Sequence, residues 1–186
     1  MQAMPARSLV TVALCLAAAA AAAEVAEPSR KSIRAVRVDA PPVIDGVLDD
    51  SAWQGAAFVE DLHIVVSNEF GTPGERSRVY IAFDADNLYF AARFWDSKPD
   101  TIVAKVLSKR DVSFGEDGFS VTLDPYDQAR AGYIFDVNPN GMRSEAIYTD
   151  KDRQNWDWEG IWDAAARIDG EGWTAEVAIP LKTLSF

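Results

Sequence analysis

Apolar residues recur at every second position in five separate stretches of this 186-residue chain, and that alternation limits the fold more than any other feature. Alternate residues of an extended strand point to opposite faces, so such a run buries one face and wets the other. "RVYIAFD" sets Val79, Ile81 and Phe83 on one face. "LYFAARFW" sets Leu88, Phe90, Ala92 and Phe94 on one face, with Tyr89, Ala91, Arg93 and Trp95 on the other. The turn-rich "DADN" between them, Asp84 to Asn87, predicts a hairpin. "GFSVTLD" offers Phe119, Val121 and Leu123, and "GYIFDVN" offers Tyr133, Phe135 and Val137 before the turn "NPNG". "DGEG" then leads into "WTAEVAIP", with Trp173, Ala175, Val177 and Ile179 in phase. Short strands at this spacing, divided by Gly, Pro, Asn and Asp, predict an antiparallel sandwich or barrel. Helix is confined to a turn at Asp50–Trp53 and another near Leu181–Leu184.

The start of the chain is of a different kind. Met1 to Ala23 has one charge, Arg7, then an apolar run from Leu9 to Leu16 and an alanine tract with Ala21 and Ala23 at its end. That order describes a secretory signal peptide. Residues 24–32 are a polar, flexible lead-in, and the sandwich is expected over 33–186. Removing 1–23 takes away one arginine and no acid, so the formal net charge moves from −11 to −12. The single cysteine, Cys15, leaves with it, and the exported domain must hold itself by core burial without disulfides. The acidic balance argues against nucleic acid, whose phosphates it would repel. After the signal no stretch is long and apolar enough for a transmembrane helix. The expected location is periplasmic, cell-surface, secreted or outer-membrane-associated. The chain ends on "IPLKTLSF" without a turn or cap, so the sandwich is expected to be truncated at its C-terminus.

Several ordered motifs resemble carbohydrate-binding module family 9 and the wider DOMON-like sandwich group. "PPVIDGVLDDSAW" is similar to the family opening P-x-I-D-G-x-x-D-x-x-W. "RVYIAFDADNLYFAARFWD", "EDGFSVTLD" and "GWTAEVAIPLKTL" resemble its hairpin, its central strand and its G-w-x-x-E-x-x-I-P ending. "SKRD" before "GEDGFSVTLDP" looks like the amino-terminal module of long exported bacterial proteins, in which an outer-membrane-type β-barrel region follows. The resemblance implies a jelly-roll or immunoglobulin-like β-sandwich that recognises a mono- or oligosaccharide without catalysis and serves carbohydrate catabolism. Two alternatives stay open: an accessory domain docked on a downstream barrel of the same chain, and part of a glycoside hydrolase.

The residues offer bland and functional readings together. Asp45-Gly46 reads as a tight turn, Asp49 as the cap of a short helix, and Trp53 as a plug at the sandwich's end. Sugars stack their apolar C–H faces on aromatic rings while carboxylates and amides take their hydroxyls. The resemblance makes Phe114 the counterpart of an indole that walls the sugar slot of family members. Glu116 and Asp117 are the nearby hydroxyl acceptors. "NWDWEGIW" puts Trp156, Trp158 and Trp162 on one face if it is a strand. As a loop, it places Trp156 and Trp158 on the rim ahead of a core strand "IWDAAARI". The family's structural calcium would take hard oxygens, and Asp96, Glu116 and Asp117 are the candidates, against a solvated acidic rim. No nucleophile elbow, P-loop or His/Cys cluster is present. The sole histidine, His63, is expected on a strand edge, and haem has only Met142 and His63 to hold it.

Overall fold

A computed structural model describes residues 32–65, 71–108, 115–128, 130–149 and 153–184. The predicted signal peptide and all of the lead-in except Ser32 lie outside these residues.

The strands form where the alternation places them, and two sheets pack as a sandwich. The larger sheet contains β1 (Val36–Arg37), β2 (Ala57–Val59), β3 (Ser77–Phe83), β4 (Asn87–Trp95), β9 (Asp163–Asp169) and β10 (Gly172–Pro180). Its order is β1-β3-β4-β10-β9, and β2 also pairs with β3. β1 is parallel to β3 along Ala82 and Phe83, whereas β2 is antiparallel to it along Val79 to Ile81. The smaller sheet is an antiparallel meander of β5 (Phe119–Leu123), β6 (Ala131–Val137), β7 (Arg143–Thr149) and β8 (Arg153–Asn155). Among the described residues, helix is limited to α1 (Ser51–Gly55) and two 3-10 turns, Pro99–Thr101 and Leu181–Thr183.

Register explains which face is wet. Ala175 lies opposite Ala92 on one side and Ala166 on the other, which puts the odd residues of β10 on the inner face. There Trp173, Ala175, Val177 and Ile179 meet Phe119, Val121, Phe135 and Val137 of the smaller sheet. Phe94 stacks on Trp173 at 4.4 Å between centroids. Such aromatic pairs add to the area term that dominates the core. The turn into β10 depends on Gly172 (φ +139°), where a Cβ would stand 2.0 Å from the Phe94 carbonyl oxygen.

The outer face of the larger sheet is also covered, which the alternation does not predict. Ala82, Tyr89, Ala91 and Ala178 are overlaid by Val38, Ile44, Leu48, Trp53 and Ala56. Trp53 therefore packs on the back of the sheet, not at the sandwich's end between the sheets. The reason is electrostatic as well as apolar. Glu176 faces outward from β10, is fully buried, and collects the Trp53 indole N–H at 2.6 Å and the amides of Asp45 and Gly46 at 3.0 and 2.7 Å. A buried carboxylate needs such donors. Burial pushes its pKa up, against the pull of these N–H groups.

Other local expectations are adjusted. Gly46 has φ +85° and Asp45 Oδ1 accepts the Val47 amide, as a tight turn requires. Asp50, not Asp49, occupies the N-cap position of α1, and its carboxylate accepts the Val43 amide instead of capping the helix. His63 lies in no strand.

Candidate functional site

The tryptophan segment forms a braced rim. β8 ends at Asn155, and the chain turns at Trp156–Asp157 before crossing to β9, so the three indoles do not share a strand face. Trp162 is buried, edge-on to Phe135 at 5.1 Å, and its indole N–H donates to Glu145 Oε2 at 3.1 Å. The Arg143 guanidinium lies 5.2 Å over the same ring and donates to the Trp162 carbonyl and to Asp163. Trp158 is half-buried, 5.3 Å from Tyr133 and 6.1 Å from Phe135. Its ring lies over Gly160, where a Cβ would come within 2.6 Å of it. Trp156 is 37 % exposed. Asn155 Oδ1 fixes the turn beside it by accepting the Asp157 amide at 3.0 Å. Trp162 and Trp158 thus anchor the segment on the inner core and leave Trp156 as its surface indole.

The acidic candidates are engaged elsewhere. Glu116 Oε2 accepts the amides of Lys105 and Val106 at 2.9 and 3.1 Å, and Asp117 Oδ2 accepts the Val103 amide at 2.7 Å. Asn138, which is fully buried, donates to Glu116 Oε1 and to the Val106 carbonyl, while its own Oδ1 accepts the amides of Asn140 and Met142. Asn140 adds donations to the Ala104 and Val106 carbonyls. Together these residues latch the extended 102–106 segment onto the start of β5. They lie toward Asn138, past the end of β6, whereas Trp158 packs on Tyr133 and Phe135 within that strand. The structure therefore does not join Glu116 and Asp117 to the indole rim. Phe114 lies outside the described residues. The latching role of Asn138 and Asn140 is hidden in "NPNG", which reads simply as a turn. Only the fact that an asparagine amide both donates and accepts hints at it.

Asp96 Oδ1 accepts the Lys98 amide at 2.6 Å, closing a local turn. Among the described residues no three His, Cys, Asp or Glu side chains are grouped to hold a metal. One oxygen of each of Asp96, Glu116 and Asp117 is thus engaged by backbone amides. No helix among the described residues is long and apolar enough to cross a membrane.

Comparison with known proteins follows the architecture. The family model described as "Carbohydrate family 9 binding domain-like" matches residues 44–186. No curated protein sequence matches. Among solved structures, the chain is similar to a candidate carbohydrate-binding protein from Bacteroides uniformis at 12 % identity and TM-score 0.58, covering 81 % of this chain and 75 % of that one. It is also similar to a carbohydrate binding module family 9 from Caldicellulosiruptor kristjanssonii in complex with cellotriose. That match has 19 % identity and TM-score 0.54 over 78 % of this chain and 65 % of the other. The glucose complex from that organism matches at 18 % identity and TM-score 0.54, covering 81 % and 71 %. At these identities the structural likeness concerns the fold. The family match spans most of the sandwich, and on that basis the chain belongs to the carbohydrate family 9 binding domain-like family.

Proposed function

We propose that this domain is a non-catalytic carbohydrate-recognition module whose stacking surface is the indole rim at Trp156 and Trp158. The observation that carries the reading is an exposed indole, Trp156, on a segment anchored by two further tryptophans, in a member of this family. Trp156 would take the apolar face of a pyranose ring, with the braced Trp158 beside it. Phe114 would add a second aromatic wall. Glu116 and Asp117 would assist indirectly, by holding the 102–106 segment in place.

Titration calorimetry of the mature chain with glucose and cellotriose tests this, since relatives are known in complex with both. Binding that weakens at least about tenfold in Trp156→Ala is the expected outcome, roughly the 1–3 kcal/mol of one stacked ring. Binding that is absent, or unaffected by this change, overturns the assignment. We further place the module in the exported compartment because of the Met1–Ala23 pattern, with a mature N-terminus at Glu24 as the sequencing result expected. Calcium remains a separate reading, tested by melting with and without a chelator. A lower melting temperature in chelator would support an ion at Asp96, Glu116 and Asp117, and an unchanged one would remove these residues from that reading.

A further inference from the structure

The outer face of the larger sheet holds a cavity of about 420 Å³, roofed by the Gly46–Asp49 turn and floored by β3, β4, β9 and β10. Tyr80, Arg93, Arg167, Asp49, Asp169 and Thr174 face it. Its size falls in the range of small-molecule sites. We propose that this cavity is a second saccharide site, distinct from the indole rim, that takes one neutral pyranose unit. The ligand class rests on the function proposed above, whereas the residues are different ones.

Three features support a ligand here. First, the walls are fixed in advance. Thr174 Oγ1 donates to the Gly46 carbonyl at 2.6 Å, and Glu176 holds the amides of Asp45 and Gly46 from beneath. Arg93, with a side chain only 13 % exposed, is gripped by Asp169 at 2.5 and 3.0 Å and by Glu171 at 3.3 Å. Hydrogen bonding to Asp169 keeps the Arg93 guanidinium charged, and the same contact lowers the pKa of Asp169. The Tyr80 ring is wedged between Trp53 and Phe58, at 6.3 and 6.0 Å. A preformed wall lowers the entropic cost of binding.

Second, opposed polar groups remain available. Arg167 and Asp49 are both exposed and line the same cavity, and although the Arg167 carbonyl accepts from Thr174 Oγ1 at 3.3 Å, neither side chain makes a hydrogen bond or ion pair with a described residue, including each other. Cross-strand register sets Arg167 opposite Thr174, and Thr174 opposite Arg93, so the two guanidinium groups flank the threonine. A sugar hydroxyl donates and accepts at once, and suits a site that offers a cationic donor and an anionic acceptor. Third, the formal charges balance, with Arg93 and Arg167 against Asp49 and Asp169. That balance selects a neutral polyol over a carboxylated or phosphorylated sugar, in a chain whose net charge of −11 already disfavours anions. The Tyr80 ring supplies the apolar face on which C–H groups rest.

The test is amide-resolved NMR on the mature chain titrated with glucose, galactose, mannose, xylose, cellotriose and glucuronate. At least one neutral sugar should move the amides of Gly46, Val47, Arg167 and Thr174. Arg167→Met and Asp49→Ala, both at exposed positions, should each weaken that response about tenfold while preserving the melting temperature. They should leave any response at Asn155–Trp158 unchanged, and Trp156→Ala should leave the outer-face response intact. Shifts confined to Asn155–Trp158 would overturn this cavity and keep the rim. Shifts confined to the cavity would keep the cavity and overturn the rim. A cavity response to glucuronate alone, or to no probe, would overturn the proposal.

Discussion

Asn138 is the residue on which the smaller sheet's entrance most depends. It is completely buried, and its amide makes four hydrogen bonds, two as donor and two as acceptor. Only an amide satisfies that set. Asn138→Asp keeps the shape but replaces the donor with an anionic oxygen facing the Glu116 carboxylate and the Val106 carbonyl. The expected cost is about 3–5 kcal/mol, the penalty of an uncompensated buried charge. Urea denaturation at pH 7 measures it. A loss under 1 kcal/mol would show that the latch relaxes without consequence. The same residue shows why the site was only partly legible in the sequence. "EDGFS" and "NPNG" carry oxygens and amides that suit a ligand as well as a neighbouring backbone. The sequence reads Glu116 and Asp117 as partners for a sugar or a cation, and the structure also engages them with amides of residues 103–106. That pairing depends on a path the chain takes between strands, and no periodicity records it.

Elements were legible in proportion to how cleanly they separate two environments. β3, β4, β5, β6 and β10 alternate because each has one face in the sandwich core, and the structure places them where the pattern does. β7 does not stand out in the sequence because Arg143 and Glu145 take inward positions, paired with Val137 and Phe135, and break the alternation. Their partners, the Trp162 carbonyl and indole, arrive from a later crossover. The β3–β4 hairpin is the best-read element and also carries a pH-dependent lock. Asp84 Oδ1 accepts the amides of Asp86 and Asn87, both at 2.7 Å, and Oδ2 accepts the Tyr89 hydroxyl at 2.6 Å. Burial and then the Asp84 carboxylate push the Tyr89 phenol up to about 12. A phenol that holds its proton more tightly when folded contributes stability that is full below its unfolded value near 10 and is lost as pH rises through 12. Tyr89→Phe should cost about 1 kcal/mol at pH 8, the worth of one hydrogen bond. The gap between the two proteins should narrow from pH 10 to 12. Absorbance titration should show Tyr89 ionising last. A gap constant across that range would remove the lock.

At the scale of the whole molecule, β10 joins two cores that differ in how they are held. Its odd residues, Trp173 to Ile179, pack between the sheets, while Glu176 and Ala178 pack beneath the N-terminal cover. The inner core is closed by strands of two hydrogen-bonded sheets. The cover is tied to β3 by backbone hydrogen bonds at its two ends, through β1 and β2, and between them it lies on the sheet through side chains and the polar ties at Glu176 and Thr174. A layer held that way opens at lower free energy than the ladder beneath it, since local unfolding follows the density of buried contacts and backbone hydrogen bonds. Amides of Ala175 and Val177 should therefore exchange with solvent only on global unfolding, and those of Gly46 and Trp53 several kcal/mol sooner, within the 5–15 kcal/mol typical of domains. Trp53→Phe sharpens the test. It keeps an aromatic ring but removes the donor to Glu176 Oε1, leaving a buried carboxylate oxygen short of a partner at a cost of about 1–3 kcal/mol. If the cover opens as a unit, exchange at Gly46 and Trp53 should accelerate roughly tenfold or more while the ratios among β5, β6 and β7 amides stay fixed. Because the proposed outer-face cavity is roofed by this cover, its affinity should fall in the same variant by the fraction of molecules left open. Uniform acceleration across both sheets would show instead that cover and sandwich are one cooperative unit, with Trp53 as much a part of the main core as Trp173.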